Sequence, residues 1–241
     1  MNGSARNAGK LHLEKRKVKS MLIAIDGACK RNGEPDCFST GVAWFITDTG
    51  DMFFKAACET QSTSQRGELS GLLEALKYAT ENAAEDEDVI IVTDSEYMFN
   101  SVDKEWCLKW RAANWIGGQG LTVKNADMWE KATSYLDQLN GRLFMQWTKG
   151  HMVHYTPGNI KKAMSADPSG IELYNRICAV ANRPADKDRI INDFINNRVK
   201  HGHIAPPREL SLEWAICNAQ ADALASYLVK TMDDSVYTLS E

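Results

Sequence analysis

The chain lacks any apolar run of membrane-spanning length. Stretches such as 89–92 are strand-sized, against the roughly 18 residues or more that a spanning helix needs. Its basic N-terminus is not followed by an apolar stretch of signal-peptide length, so a cytoplasmic rather than secreted protein is expected. No Cys-x-x-Cys pair occurs among the six cysteines (29, 37, 58, 107, 178 and 217), which argues against a zinc site or a disulfide frame and for reduced, packed thiols. Internal repeats and low-complexity tracts are also missing. The basic excess typical of a nucleic-acid binder is absent too: 28 Lys+Arg face 32 Asp+Glu, a net charge of −4. What remains, with 44% hydrophobic and 25% charged residues over 241 positions, suits one large soluble domain carrying an insertion.

The pattern along the chain predicts its parts. Residues 1–20 carry six Lys/Arg and one Glu without periodicity and read as a flexible basic arm. MLIAIDGACK, from Met21, reads as a buried strand ending in Asp-Gly. Residues 40–48 and 51–59, parted by Thr49-Gly50, predict a hairpin. Leu69, Leu72, Leu73, Leu76 and Ala79 have helical spacing within 65–80, and VIIVTD (89–94) suits a strand covered on both faces. Residues 95–111 and 124–139 read as helices around a glycine-bearing loop, and 142–151 as a fifth strand. A three-strand meander followed by helix–strand–helix–strand gives an α/β fold with a five-stranded mixed sheet flanked by helices. From 152 to 217 a mainly helical insertion is expected: first a loop with Pro157, Gly158 and Pro168, then helices at about 171–182 and 185–199. A last helix spans about 208–230, of which 218–230 rejoins 21–151 in one domain, and 231–241 reads as a tail.

Four acids stand where this arrangement makes them conspicuous. Asp26 and Asp94 end apolar strands, and ligands of open α/β sheets gather beyond the carboxyl ends of strands. Glu68 lies in the first turn of the first helix, and Asp222 sits between Ala221 and Leu224 on the apolar face of the last. Each alone has an ordinary explanation, as a turn residue or as a partner of a helix dipole. Together they cannot all ionise at close range without a compensating cation. Carboxylate oxygens favour hard divalent ions, so Mg²⁺, with Mn²⁺ possible, is the expected cofactor. Two such ions would suit phosphodiester hydrolysis.

At this point six ordered segments resemble the type 1 ribonucleases H: IDGACKRNG (25–33), STSQRGEL (62–69), VTDSEY (92–97), VKNADMW (123–129), WTKGH (147–151) and NAQADALA (218–225). The resemblance implies an endonuclease that cuts the RNA strand of RNA–DNA hybrids with two Mg²⁺ ions. It implies metal-binding roles for Asp26, Glu68, Asp94 and Asp222, and for His151 the part of a loop histidine that helps protons move or products leave. It places Cys29, Asn32, Ser64 and Gln65 at the hybrid's minor groove, Thr63 and Asn125 at a DNA-strand phosphate, and Trp106, with Trp110, Trp115 and Trp129, in an aromatic handle. Ser64-Gln65 departs from the family's frequent Asn-Asn. The handle carries only Lys109, Arg111 and Lys124, a weakened anchor for phosphates.

The insertion is the larger departure from the family pattern. It holds nine Lys/Arg against seven Asp/Glu, and Lys161, Lys162, Arg198, Lys200 and Arg208 suggest a second clamp on the hybrid. Helices that only pack on the domain are the competing expectation. His151, His154, His201 and His203 lack ligand spacing and are not read as a metal site. No obligate protein partner and no membrane association are expected. A non-catalytic hybrid-binding or scaffold module of the same fold is the alternative function, against which the presence of all four acids speaks. The total of −4 hides a partition: +5 in the arm, −8 over 21–151, +2 over 152–217 and −3 thereafter. Binding is therefore expected to depend on metal, arm and insertion, and to be salt-sensitive.

Overall fold

The computed structural model describes residues 19–238, with side chains described as far as residue 232; nearly all of the basic arm lies outside the described residues. Strand β1 (Ser20–Lys30) pairs antiparallel with β2 (Phe38–Ile46), which pairs antiparallel with β3 (Met52–Thr60). The expected turn lies at 47–51, where Gly50 takes φ +86° and its N–H donates to the Thr47 carbonyl at 3.0 Å. Helix α1 (Ser64–Asn82) crosses over to β4 (Asp88–Thr93), which lies parallel to β1 on its other side. Helices α2 (Glu96–Asp103), α3 (Trp106–Ala112) and α4 (Ala126–Leu139) precede β5 (Leu143–Trp147), parallel to β4. The sheet order is β3-β2-β1-β4-β5. Four further helices follow: α5 (Pro157–Ala166), α6 (Ile171–Ala181), α7 (Pro184–Lys200) and α8 (Arg208–Thr238).

Period-two alternation splits the core between the two faces. Met21, Ile23, Ile25, Val89, Ile91, Met145 and Trp147 pack with α1–α4. Leu22, Ala24, Val42, Trp44 and Val92 pack with α5–α8. The insertion therefore shares a continuous core with the sheet: Ile160, Leu173, Ile190 and Phe194 belong to the cluster that holds Trp44, Trp214 and Leu224. Buried polar groups anchor it as well. Gln220 of α8 donates to the Gly170 carbonyl at 2.9 Å. Arg198 of α7, only 6% exposed, donates to the Trp147 carbonyl at the end of β5, to Gln146 Oε1 at 3.1 Å and to the Ile204 carbonyl at 3.0 Å. Its guanidinium also lies 5.7 Å from the Trp214 ring centroid, and burial lowers its pKa to about 10, which leaves it charged at neutral pH.

Several boundaries differ from the sequence expectation. Strand β1 runs through Asp26-Gly27 to Lys30, because β2 pairs with it over that whole length; Asp26 is inside the strand and not at its end. The single helix expected over 95–111 breaks at Glu105, whose φ of +56° reverses the chain between α2 and α3. Strand β5 stops at Trp147. Residues 157–166, expected as loop, form α5: Thr156 caps it by accepting from Asn159 N–H at 3.4 Å, and Pro157 starts the first turn, where its missing N–H costs nothing. The tail expected from 231 is helical to Thr238.

Candidate active site

The ladder between β1 and β4 ends at Ala24–Val92, and beyond it the two strands offer no further backbone pairing to each other. Asp26 and Asp94 stand just past that point. Asp26 continues the alternation of Leu22 and Ala24, so it faces α8, and it is 7% exposed. Its Oδ1 accepts from its neighbour Gly27 N–H at 2.7 Å. Asp94 follows the last residue of β4 and immediately precedes Ser95, which caps α2.

Glu68 reaches this place because α1 lies unusually close to the sheet. A Cβ on Gly27 would meet the Glu68 backbone nitrogen at 2.2 Å, and one on Gly41 would meet the Gly71 nitrogen at 2.3 Å. Asp-Gly in β1 is therefore a close-approach device, not a turn. One oxygen from each of Asp26, Glu68 and Asp94 lies within 4.8 Å of the others. Helix α8 adds Asp222, and the loop after β5 adds His151, whose Nδ1 lies 3.1 Å from Asp222 Oδ2. The imidazole is largely exposed and its backbone takes φ +57°.

Burial and mutual repulsion act in the same direction on these carboxyls. Burial, then the charges of Glu68, Asp94 and Asp222, hold Asp26 far above the usual carboxylate range. Burial, with Asp94 next, pushes Glu68 up to about 8. Asp94 is raised by burial and then by Asp222, while His151 and Asn218 oppose the shift. Glu68 Oε2 is buried without a hydrogen-bond partner. An unpartnered buried carboxylate oxygen beside two further acids is the donor set of a hard divalent cation, which would supply the missing counter-charge. The residues present fit such an ion.

Two more residues shape the site without having stood out in the sequence. A Cβ on Gly150 would sit 2.2 Å from Asp94 Oδ2, so glycine lets the loop pass over this carboxylate without turning it aside. Asn218 is buried one helical turn before Asp222 on the same face of α8, and it favours the charged form of Asp94. The i, i+4 spacing to Asp222 was the available signal.

The positions expected to contact substrate lie at four places in the fold. Cys29 and Asn32 lie at the far end of β1 and in the loop after it, and Asn32 Oδ1 accepts from the Ser64 N–H at 3.2 Å, joining that loop to the start of α1. Thr63 caps α1 by accepting from Arg66 N–H at 3.2 Å, and Gln65 is exposed in the first turn. Asn125, with φ +58°, precedes α4. Arg66 ties the two helix starts together, bonding Glu59 through Nε at 2.8 Å and Asp127 through Nη2 at 3.2 Å. Trp106 opens α3 and packs with Trp110, which belongs to an aromatic group with Tyr97 and Trp129. No acid of the site is among its ring contacts.

Of the cations expected to hold a hybrid, several are engaged elsewhere. Arg111 bonds Asp137 at 2.6 Å. Arg208 bonds Asp188 at 2.7 Å, and Arg198 is buried against β5. The clamp expected of the insertion loses Arg198 to the fold; Arg208, in its surface ion pair, and Lys161, Lys162 and Lys200 are exposed. His201 and His203 pack on Trp147 at 4.6 and 5.5 Å, which explains them as packing residues.

The chain is similar to known proteins in sequence and fold. The ribonuclease HI of Rickettsia prowazekii is 32% identical over 156 residues, covering 64% of this chain and 94% of that protein. The ribonuclease HI of Neisseria meningitidis serogroup B is 33% identical over 138 residues, 56% of this chain and 86% of that protein. A solved type 1 RNase H with the type 2 active-site motif superposes with a TM-score of 0.49 at 19% identity, covering 73% of this chain and 87% of that one. The RNase H family profile matches residues 18–167, which contain Asp26, Glu68, Asp94 and His151 and stop short of Asp222. With well over half of its length matched, the chain belongs to the ribonuclease H family.

Proposed function

We propose that the protein hydrolyses the RNA strand of RNA–DNA hybrids, with Asp26, Glu68, Asp94 and Asp222 holding two Mg²⁺ ions, for which Mn²⁺ can substitute. The observation that carries this reading is the cluster of three carboxylates within 4.8 Å, one of whose oxygens is buried without a partner. When bound, divalent cations at such a site activate water and stabilise the leaving oxygen of a phosphodiester. The chain's own residues do the rest. The raised carboxyls lose their protons as cation binds, so occupancy couples to pH. His151, exposed and within reach of Asp222 Oδ2, takes or gives a proton at the mouth of the site.

The loop after β1 and the start of α1, joined through Asn32 and Ser64, present Cys29, Asn32, Ser64 and Gln65 to the minor groove, where 2′-hydroxyls mark RNA. Thr63 and Asn125 flank two helix starts held together by Arg66, a fitting place for a phosphate of the DNA strand. Trp106 contributes to the aromatic handle. Among the described residues no helix is long and apolar enough to cross a membrane, and the six free thiols suit a reducing cytoplasm.

The test is a labelled hybrid with Mg²⁺, set beside duplex RNA and duplex DNA. Cleavage confined to RNA in the hybrid, and lost in Asp94→Asn, is expected. Survival of that RNA with the parent protein would refute the reading.

A further inference from the structure

Cys29 and Cys37 are eight residues apart and flank the loop that carries Asn32. Their sulfurs lie 2.6 Å apart, well inside the separation of unbonded sulfurs and close to the roughly 2.05 Å of a disulfide. Both are thiols in the structure. Cys29 is half-buried, whereas Cys37 is 1% exposed and lies just before β2. Neither position is incidental. Cys37 accepts at its carbonyl from Ser62 N–H at 3.3 Å, and Asn32 accepts from Ser64 N–H, so the loop is already tied at two points to the segment that starts α1. Arg31 and Gly33, at φ +57° and +91°, set its turn, and the N–H of Glu34 returns to the Arg31 carbonyl at 3.0 Å. The turn, the β1–β2 pairing and these ties together bring the two sulfurs side by side.

We propose that Cys29 and Cys37 are a redox modification site, forming a reversible disulfide that locks the β1–β2 loop and weakens the hold on the hybrid. The oxidant is a small disulfide such as oxidised glutathione. The Cys29 thiolate attacks one of its sulfurs and expels a glutathione thiol; the Cys37 thiolate then displaces the second glutathione from Cys29. Two protein S–H bonds are lost, one S–S bond forms, and two glutathione thiols carry away the electrons. Burial and the neighbouring sulfur raise the Cys29 pKa to about 12, so the reaction quickens with pH. Locking withdraws the Cys29 thiol and fixes Asn32 three residues on. The effect on substrate rests on the groove-facing role proposed above; the disulfide itself does not.

The full chain is incubated with oxidised glutathione at pH 8, and its thiols are mapped by intact mass and non-reducing peptide analysis. The expected product carries one glutathione, on the exposed Cys58, is two hydrogen atoms lighter than a chain with that adduct alone, and contains one peptide linking 29 to 37. For the hybrid, KM should rise several-fold with kcat little changed, and dithiothreitol should reverse it. Cys37→Ser, or Cys37→Ala if the serine proves unstable in that buried position, should take a glutathione at Cys29 and form no cross-link. A parent chain that ends with separate adducts on 29 and 37, or with free thiols at both, would overturn the proposal. So would a cross-linked chain with an unaltered KM. Because the mapping needs no catalysis, a failure of hybrid cleavage reads out separately from a failure of disulfide formation.

Discussion

The two faces of the sheet are covered by different kinds of sequence. Helices α1–α4 are interleaved with the strands and lie within the family match. On the other face α5–α8 follow the last strand in one continuous run, and most of that run lies beyond the match. The first face brings α1 down onto glycines and delivers Glu68 to the site. The second contributes one acid, Asp222, from a helix that also buries Trp214, Cys217 and Leu224. The difference teaches a division of labour. The interleaved face places acids of the candidate site by close backbone approach, and the appended face encloses a hydrophobic core and lends a single carboxylate to it. One arginine of the insertion follows this division: Arg198 is buried and caps β5, while Arg208 forms an exposed ion pair with Asp188.

That division can be tested by substitutions on either side. Asp94→Asn should lower hybrid cleavage about 10³-fold or more while raising the melting temperature without cation, because it removes one of several crowded acids. A loss of stability with activity retained would break the contrast from the catalytic side. Arg198→Ala leaves the Trp147 and Ile204 carbonyls unpaired and opens space beside Phe194 and Trp214, costing about 2–4 kcal/mol by denaturant unfolding. Its kcat at low temperature should stay within a few-fold of the parent; a collapse of kcat in a folded variant would show that the appended face does more than support.

Gly150→Ala drives a methyl group into Asp94 and should reduce activity or cation affinity about 10–100-fold, with only a small change in melting temperature. The pH response is the gentlest probe. Asp26, Glu68 and Asp94 all have raised pKa values, so the native state retains protons that the unfolded chain releases. Their contribution is complete below an unfolded pKa of about 4 and is lost as pH climbs through the folded value of about 8 for Glu68. Metal-free protein should therefore lose several degrees of melting temperature between pH 5 and pH 8, and Mg²⁺ should restore more of it at pH 8 than at pH 5. A flat profile would mean that the acids are not crowded in solution.

Much of this was legible before any coordinates. Alternating and 3.6-residue patterns located the five strands and most helices, and three of the four acids stand where the sequence puts them, Asp94 just past a strand end and Glu68 and Asp222 on helices. The misses have physical causes. Asp26-Gly27 looks like a turn locally, yet pairing with β2 carries the strand through it. Thr156-Pro157-Gly158 reads as loop chemistry, although a Thr cap followed by Pro is also how α5 begins. The break at Glu105 has no local marker, since glutamate is a common helix residue forced here into a left-handed conformation. Arg198 reads as a surface cation in the sequence because charge carries no information on burial, whereas Arg208 does stay at the surface, paired with Asp188.

By itself, then, the sequence determined the five strands in order, most of the helices, the acids of the candidate site and the family, because hydrophobic period and residue chemistry are local properties. Only the tertiary structure decided that Asp222, 128 positions after Asp94, meets the same cluster, since such a contact depends on how α8 is laid across the sheet. It alone decided that the insertion shares the domain's core and that Gly27 and Gly150 are needed for clearance. It also brought two ordinary thiols to 2.6 Å. Each of these is a matter of distance between residues that no periodicity along the chain encodes.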